Sequence, residues 1–509
     1  MKLFYSFLSL IFCCCSFELS AQSVQDKVKQ FVKSNEDSII NEYIRFLSIP
    51  DVSADTTDIP FNVAFIQEMM QLRGIPSEQL HGRTAGVNPA VYGEIKVPGA
   101  KRTIGLYAHY DGQPVNPKQW AGGMEPFKPV FITNSLEHGG TIVAHSPGQP
   151  INPEWRITGR ASADDKAGVM MILNAYDALV RSGVTLKDNI KFLFEGEEEV
   201  GSPHLDEIFQ NNKEKLQADI WIIVDGARRV TGENLVVFGV RGDVNMDLTV
   251  YGAKRPLHSG GFGNWAPNPA MRLVQLLAGM KDEKGKVLIK GFYDDVIPLN
   301  TEEKKAIAAI SDVTPTLKKE LGVAEPDGDG VSYLELLSLP SLNINGIQSA
   351  NAGKLAANII PATAEATLDL RLVPGNDVIR QVQKIKDYIQ SKDYHIIDHD
   401  PTDEERSQYG RLIKITTDKG YNAQRTPMNL PIAQNVIRAV QSTISYPVVL
   451  IPSSGGSLPL FMFEKYLDAK VVSVPLVNYD NNQHAENENV KVQYLLEGIS
   501  TVAAIMLME

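Results

Sequence analysis

Apolar positions along the chain follow two alternating rhythms from residue 24 onward. Val28, Phe31, Val32, Ile39, Ile40, Tyr43, Ile44 and Leu47 fall at helical spacing and predict a helix over 24–47, and a second is predicted over 61–72, stopped by Gly74. Continuous apolar runs predict buried strands at 90–97, 103–109, 190–194 and 220–224, with an amphipathic helix over 167–180 between the middle two. Buried strands joined by helices predict a mainly parallel sheet in an α/β domain. Beyond Val230 the texture changes to closely spaced strands at 235–240, 244–251, 341–347 and 364–372, with helices at 269–280, 302–320 and 377–390. That pattern predicts an α+β insert. A helix over 433–442, strands at 448–451 and 471–474 and a last helix over 492–507 then complete the first domain. The expected division is therefore 22–234 and 426–509 for the main domain and 235–425 for the insert.

The first 21 residues stand apart. Met1-Lys2, an apolar run over 3–17 and then Leu19-Ser20-Ala21 read as a secretory signal over 1–21, cleaved after Ala21. The apolar stretch is short for a bilayer span, which needs about 20 residues. A single anchor, or a lipoprotein acylated at one of Cys13, Cys14 and Cys15, is the alternative, although Phe12 is bulky for an acylation motif. The expected location is thus periplasmic or secreted. All 3 cysteines lie in this segment, so the mature chain would contain no structural disulfide and no thiolate metal site. No later segment is apolar enough to span a membrane. A length of 509 residues with 43% hydrophobic and 22% charged residues is ordinary globular material for two domains. The net charge of −12, with no Lys/Arg-rich run, argues against a nucleic-acid partner.

Five short polar segments carry the candidate chemistry: His109-Tyr110-Asp111, Asp164-Asp165-Lys166, Glu195 through Glu199, Asp225-Gly226 and His484. The first four lie at or just beyond predicted strands, where an open α/β sheet gathers its ligands. Each has a plainer reading alone: a strand-end His beside a turn Asp, a helix N-cap, a solvated acidic loop, a strand ending in Asp-Gly, and a lone loop His. Together, two His and several carboxylates without a thiolate suit one or two divalent ions, zinc first, with manganese or cobalt as substitutes. In the acidic block one Glu can bind metal while its neighbour stays free as a general base. A metallohydrolase is the expectation.

Longer motifs accompany these residues in order: Gly159-Arg-Ala-Ser-Ala-Asp-Asp-Lys, Glu195-Gly-Glu-Glu-Glu-Val-Gly-Ser, Leu257-His-Ser-Gly-Gly, Asn358-Ile-Ile-Pro, Leu370-Arg-Leu-Val-Pro and Ser454-Gly-Gly-Ser-Leu-Pro. With them, essentially the whole mature chain resembles the dinuclear zinc peptidase and amidohydrolase family of carboxypeptidase G, aminoacylase, the carnosinases and bacterial dipeptidases. The resemblance implies a catalytic α/β domain with an inserted lid and dimerisation domain, and two zinc ions per subunit. It implies His109 and Asp225 on one zinc, Glu199 and His484 on the other, Asp164 bridging them, Glu198 as general base and Asp111 supporting His109. It further implies a cis peptide at Asp164-Asp165. It also implies a homodimer through the insert, in which His258 reaches the partner subunit's site to stabilise the oxyanion. Arg371 and Asn358 would grip the substrate carboxylate, with contacts from Gly455, Gly456 and Ser457. The implied reaction is hydrolysis of dipeptides or short peptides through a metal-bridged water; Asp rather than Glu at position 225 favours the carnosinase and dipeptidase branch. The alternatives are an N-acyl amino acid amidohydrolase and, from another class, an inactive peptide-binding relative. Two departures stand out. His109 and Asp164 are unusually far apart, with 125–155 reading as an added loop whose His138 and His145 are solvated, and Ser453-Ser454 replace an Arg and Glu often found in carnosinase-like relatives.

Overall fold

The computed structural model describes residues 24–54, 57–146, 148–456 and 460–509; the predicted signal segment lies outside them. Two compact units emerge. Among the described residues, the first comprises the chain from residue 24 to Phe238 together with Thr426–Ile451 and Met462–Glu509, and the second Gly239–Arg425 with the described part of 452–461.

An eight-stranded sheet organises the first unit, in the spatial order Ser77–Leu80, Ala90–Ile95, Asn189–Glu195, Thr103–His109, Ile220–Ile223, Lys470–Ser473, Leu235–Val237 and Val449–Ile451. The four strands from Asn189–Glu195 to Lys470–Ser473 run parallel, and Ala90–Ile95 joins them antiparallel. They are buried on both faces and therefore read as unbroken apolar runs rather than as alternation. Register sets where the polar residues emerge: His109 is opposite Glu195, and Tyr107 is opposite Ile223. Two strands thus end level and the third stops two residues short, so its next residues, Val224 and Asp225, continue alongside Ala108 and His109. At Gly105 the ring of Trp221 comes so close that an added Cβ would lie 2.3 Å from it. Helix Lys166–Arg181 is buried along most of its length and packs against the last helix, Val492–Met506.

The second unit is a five-stranded sheet in the order Ser341–Ser349, Thr363–Leu372, Gly242–Tyr251, Leu412–Thr417 and His395–Ile397. Alternation along Gly242–Tyr251 sends Val244, Met246, Leu248 and Val250 into a core with Leu273, Leu277, Ile385 and Ile389 of helices Pro269–Ala278 and Val378–Gln390. Strand Ser341–Ser349 is the edge and is largely exposed.

Four differences from the sequence reading have local causes. The helix over 24–47 breaks at Asn35, whose side-chain amide donates to the Phe31 carbonyl at 2.8 Å. The helix over 302–320 is two, Thr301–Ala309 and Thr314–Leu321, because Pro315 can enter only a first turn. Leu235–Val237 belongs to the large sheet, pairing with Val449–Ile451; only Gly239–Val240 begins the second unit. Finally, the added stretch before Asp164 is folded rather than loop. Phe131–Ile132, Ile142–Val143 and Arg156–Thr158 form a four-stranded sheet with Asn489–Lys491. His138 there contacts Ser135 Oγ at 2.8 Å, and His145 packs against Phe131 and Trp155.

Candidate metal centre

His109, at the end of its strand, is fully buried, and its Nε2 lies 2.9 Å from Asp164 Oδ1 and 3.9 Å from Asp225 Oδ2. His484 Nε2 lies 3.1 Å from Asp164 Oδ2 and 3.1 Å from Glu199 Oε2. Two donor groups result, His109-Asp164-Asp225 and Asp164-Glu199-His484, each with its ligand atoms within 4.8 Å of one another and sharing Asp164. Ligands about 2.0–2.1 Å from a tetrahedral zinc lie about 3.3 Å apart, so the spacing suits such a cation in either group. The donor set of imidazole and carboxylate, without thiolate, suits it as well.

The charge pattern points the same way. Burial, reinforced by the charge of Asp164, pushes Asp225 up to about 7. Burial likewise raises Glu198 well above the carboxylate range, with His109 opposing and Asp225, Asp164 and Asp111 adding to the rise. Asp164 goes the other way: burial works against its charge, but hydrogen bonds from His109 and His484 hold it well below its ordinary value. His484 is pushed up to about 10 by hydrogen bonding to Asp164 and Glu199. Carboxylates crowded in a low dielectric repel one another, and the field that draws both imidazoles toward protonation is one that would hold a divalent cation.

Surrounding residues fix these groups in place. Asp111 Oδ1 accepts from the Glu198 backbone N–H at 3.2 Å and Oδ2 from the Glu199 N–H at 3.1 Å, while Ser53 Oγ donates to Oδ2 at 2.6 Å. His109 Nδ1 is 3.1 Å from the Asp111 carbonyl and 3.3 Å from its Oδ1. One buried carboxylate therefore ties the His109 ring to the turn bearing Glu198 and Glu199. Of the paired acids, Asp164 is the donor, and Asp165 caps helix Lys166–Arg181 through Gly168 N–H at 3.1 Å while accepting from His109 N–H at 3.2 Å. The Asp164–Asp165 peptide is cis. In the acidic block only Glu198 and Glu199 face the donors. Glu195 accepts from Tyr107 OH at 2.6 Å, and Glu197 accepts from Asn88 N–H at 3.2 Å and lies 2.8 Å from His204 Nδ1.

Two contributors, Glu488 and Gln113, escaped the sequence reading, and a third, Lys166, entered it only as part of the Asp164-Asp165-Lys166 segment. Glu488 is buried and accepts from Arg160 at 2.7 Å and from the backbone N–H groups of Ala161, Ala163 and Asp164 at 3.1, 2.8 and 3.1 Å, clamping the Asp164 loop. Gln113 Nε2 donates to Glu199 Oε2 at 2.9 Å. Lys166 lies buried beneath, 2.8 Å from Asp51 Oδ2 and donating to the carbonyls of Phe46 and Ile49. An acid four residues after His484 was the available signal for Glu488, but such acids are common in surface loops.

Residues 105–508 match the sequence profile of peptidase family M20/M25/M40. The chain belongs to this family. As a member of M20/M25/M40 it is a hydrolase of peptide bonds. It is 25% identical over 495 residues to the Cys-Gly metallodipeptidase dug1 of Schizosaccharomyces pombe, covering 93% of this chain and 96% of the relative. It is 24% identical to the human Beta-Ala-His dipeptidase, covering 95% and 92%. Among solved structures, the M20 family metallo-carboxypeptidase Sso-CP2 from Sulfolobus solfataricus superposes with a TM-score of 0.73 at 28% identity over 92% of this chain and 98% of that one. The dipeptidase Dug1p from Saccharomyces cerevisiae gives 0.70 at 23% identity over 95% and 98%, a likeness of fold.

The remaining residues expected of an M20 enzyme lie in the second unit. His258 is exposed on a short strand paired with Ile359–Ile360, and the carbonyl of neighbouring Asn358 accepts from Ser259 N–H at 3.0 Å. Arg371 is partly exposed, with Nε 3.0 Å from Asp369 Oδ1 and 3.5 Å from Asp243 Oδ1. Gly455 and Gly456 are exposed, and the Gly456 carbonyl accepts from Arg241 N–H at 3.3 Å. Ser457 lies outside the described residues.

Proposed function

We propose that the protein is an exported zinc-dependent dipeptidase, active on dipeptides or short peptides with a free carboxylate. The observation that carries this reading is the pair of donor groups sharing Asp164, with Glu198 beside them, its Oε2 3.8 Å from His109 Nε2. His109, Asp225, Asp164, Glu199 and His484 would hold two zinc ions, with manganese or cobalt as substitutes. Bound there, the metal supplies Lewis acidity that activates water and polarises the scissile carbonyl. Glu198 takes the proton of the attacking water on its carboxylate and delivers it to the departing nitrogen, a role suited to its place beside His109. Asp111 keeps Glu198 and Glu199 in register through their backbone N–H groups.

In the second unit, Arg371 recognises the substrate carboxylate, for which a guanidinium fork is geometrically suited, with Gly455 and Gly456 as further contacts; Asn358 lies beyond the opposite end of the strand that carries Arg371 and does not share that grip within one subunit. Dimerisation through this unit, bringing His258 to the partner subunit's oxyanion, is supported by the exposed edge strand Ser341–Ser349 and by Met271 and Val274, which are exposed on helix Pro269–Ala278. Names of relatives that act on Cys-Gly and β-Ala-His support a dipeptide substrate.

The test is to incubate the mature, zinc- or manganese-loaded protein with a panel of dipeptides and N-acetyl amino acids and to read amine release. Cleavage of dipeptides bearing a free α-amino group is expected. Release from acylated amino acids alone would replace this reading with a deacylase, and silence on both panels with two cations bound would leave a peptide-binding relative.

A further inference from the structure

The His484 loop carries an anomaly. Asn482, His484 and Asn487 all have left-handed backbone, with φ of 56°, 62° and 62°. Such residues persist only where their surroundings over-determine them, and what holds this loop is the 116–156 stretch, the added 125–155 segment together with its flanks, which include Ala121 and Arg156. Arg156 stands at the centre. Its Nη1 donates to the Asp480 carbonyl at 3.1 Å and to Asn489 Oδ1 at 2.9 Å, and its Nη2 donates to Asp480 Oδ2 at 2.7 Å and to Asn134 Oδ1 at 3.1 Å. A single buried guanidinium thus grips both ends of the loop. Asn482 Nδ2 donates to Glu137 Oε1 at 3.0 Å, and Ala121 N–H donates to Asn487 Oδ1 at 2.8 Å. Strand Asn489–Lys491 completes the ladder by pairing with Arg156–Thr158.

The other donor group shares Asp164, whose loop Glu488 clamps, but its two remaining members do not lean on this stretch. His109 and Asp225 are placed by the ends of paired strands of the large sheet. His484 is 53% exposed and hangs from a loop.

We propose that the 116–156 stretch positions His484, with Arg156 as the principal positioning residue, and so sets cation affinity selectively at the Asp164-Glu199-His484 group. The inference rests on the two-cation reading above. Groups that orient a metal ligand through hydrogen bonds typically change metal affinity by about 10–100-fold when altered. Here the lever acts through the ligand's backbone, on one position of two.

The experiment is a Co2+ and Zn2+ titration of the full-length mature protein by calorimetry, with metal content measured after dialysis, on the parent, Arg156→Lys, Glu137→Ala, and Glu137→Ala combined with Asn482→Ala. The parent binds two cations. Arg156→Lys keeps one at parental affinity and weakens the other about tenfold or more; Glu137→Ala shifts the same position by a smaller factor, and adding Asn482→Ala changes little further. Equal affinities in all proteins, or equal weakening at both positions, overturns the proposal. A parent that binds fewer than two cations instead overturns the two-cation reading, and this inference with it. Should Arg156→Lys fail to fold, the changes at exposed Glu137 and half-buried Asn482 decide the matter by the same criterion.

Discussion

Replacing Asp111 with Asn changes almost nothing in size and removes one negative charge from a fully buried position. The carboxylate is committed on both oxygens: Oδ1 to Glu198 N–H at 3.2 Å, and Oδ2 to Glu199 N–H at 3.1 Å and Ser53 Oγ at 2.6 Å. An amide offers one oxygen, so its NH2 must face at least one backbone donor. Hydrogen bonds to a charged acceptor contribute about 1.5–3 kcal/mol each, and losing one while neutralising the other costs about 3 kcal/mol locally. Part of that is absorbed by movement of the 198–199 turn, and movement there displaces the proposed general base Glu198 and the proposed metal donor Glu199 together. Alterations at this distance from a metal typically reduce metal affinity or activity about 10–100-fold, so kcat/KM on a good dipeptide is expected to fall by about that factor, near its upper end because two functional residues move. The assay is amine release at saturating metal, paired with metal content and a thermal melt. An Asn variant within threefold of the parent, with both cations retained, would refute the reasoning.

Other perturbations have expected outcomes of their own. Lys166→Met leaves Asp51 buried without its 2.8 Å partner and is expected to destabilise the fold by about 3–5 kcal/mol, whereas adding Asp51→Asn recovers much of the loss; the urea midpoint reports it, and no recovery in the double variant would count against the pair. Arg371→Lys should lower the preference for a dipeptide over its C-terminal amide by about tenfold, since a point charge replaces a fork; an unchanged ratio of kcat/KM would remove Arg371 from carboxylate recognition. Stripping metal with a chelator should lower the melting temperature, because a cation present at about 100 times its dissociation constant stabilises by about 2.7 kcal/mol. Identical melts with and without metal would argue that the donor groups bind none.

How legible each site residue was in the sequence depended on how the fold places it. Each of His109, Glu199 and Asp225 stands at or just beyond a strand buried on both faces, so an apolar run leading into an acid or His was a readable signal. Asp164 and Asp165 could not be separated by pattern, since a cap and a ligand look alike until the contacts to Gly168 and His484 are seen. Glu488 was invisible because its partners lie more than 300 residues earlier in the chain. The strands around 131–158 were missed because runs of two or three residues carry no periodicity, and their ladder closes only through Asn489–Lys491. Pro315, by contrast, was a readable break in the 302–320 pattern that apolar spacing masked.

The central claim is hydrolysis at this centre with Glu198 as the group that moves the proton. Its most direct test compares the parent with Glu198→Gln at saturating zinc, measuring bound metal and dipeptide turnover in the same samples. Both proteins should hold two cations, while the variant loses about 10²–10⁴-fold in kcat, the usual contribution of a positioned acid–base group. A Gln variant that binds two cations and turns over at the parental rate would contradict the account.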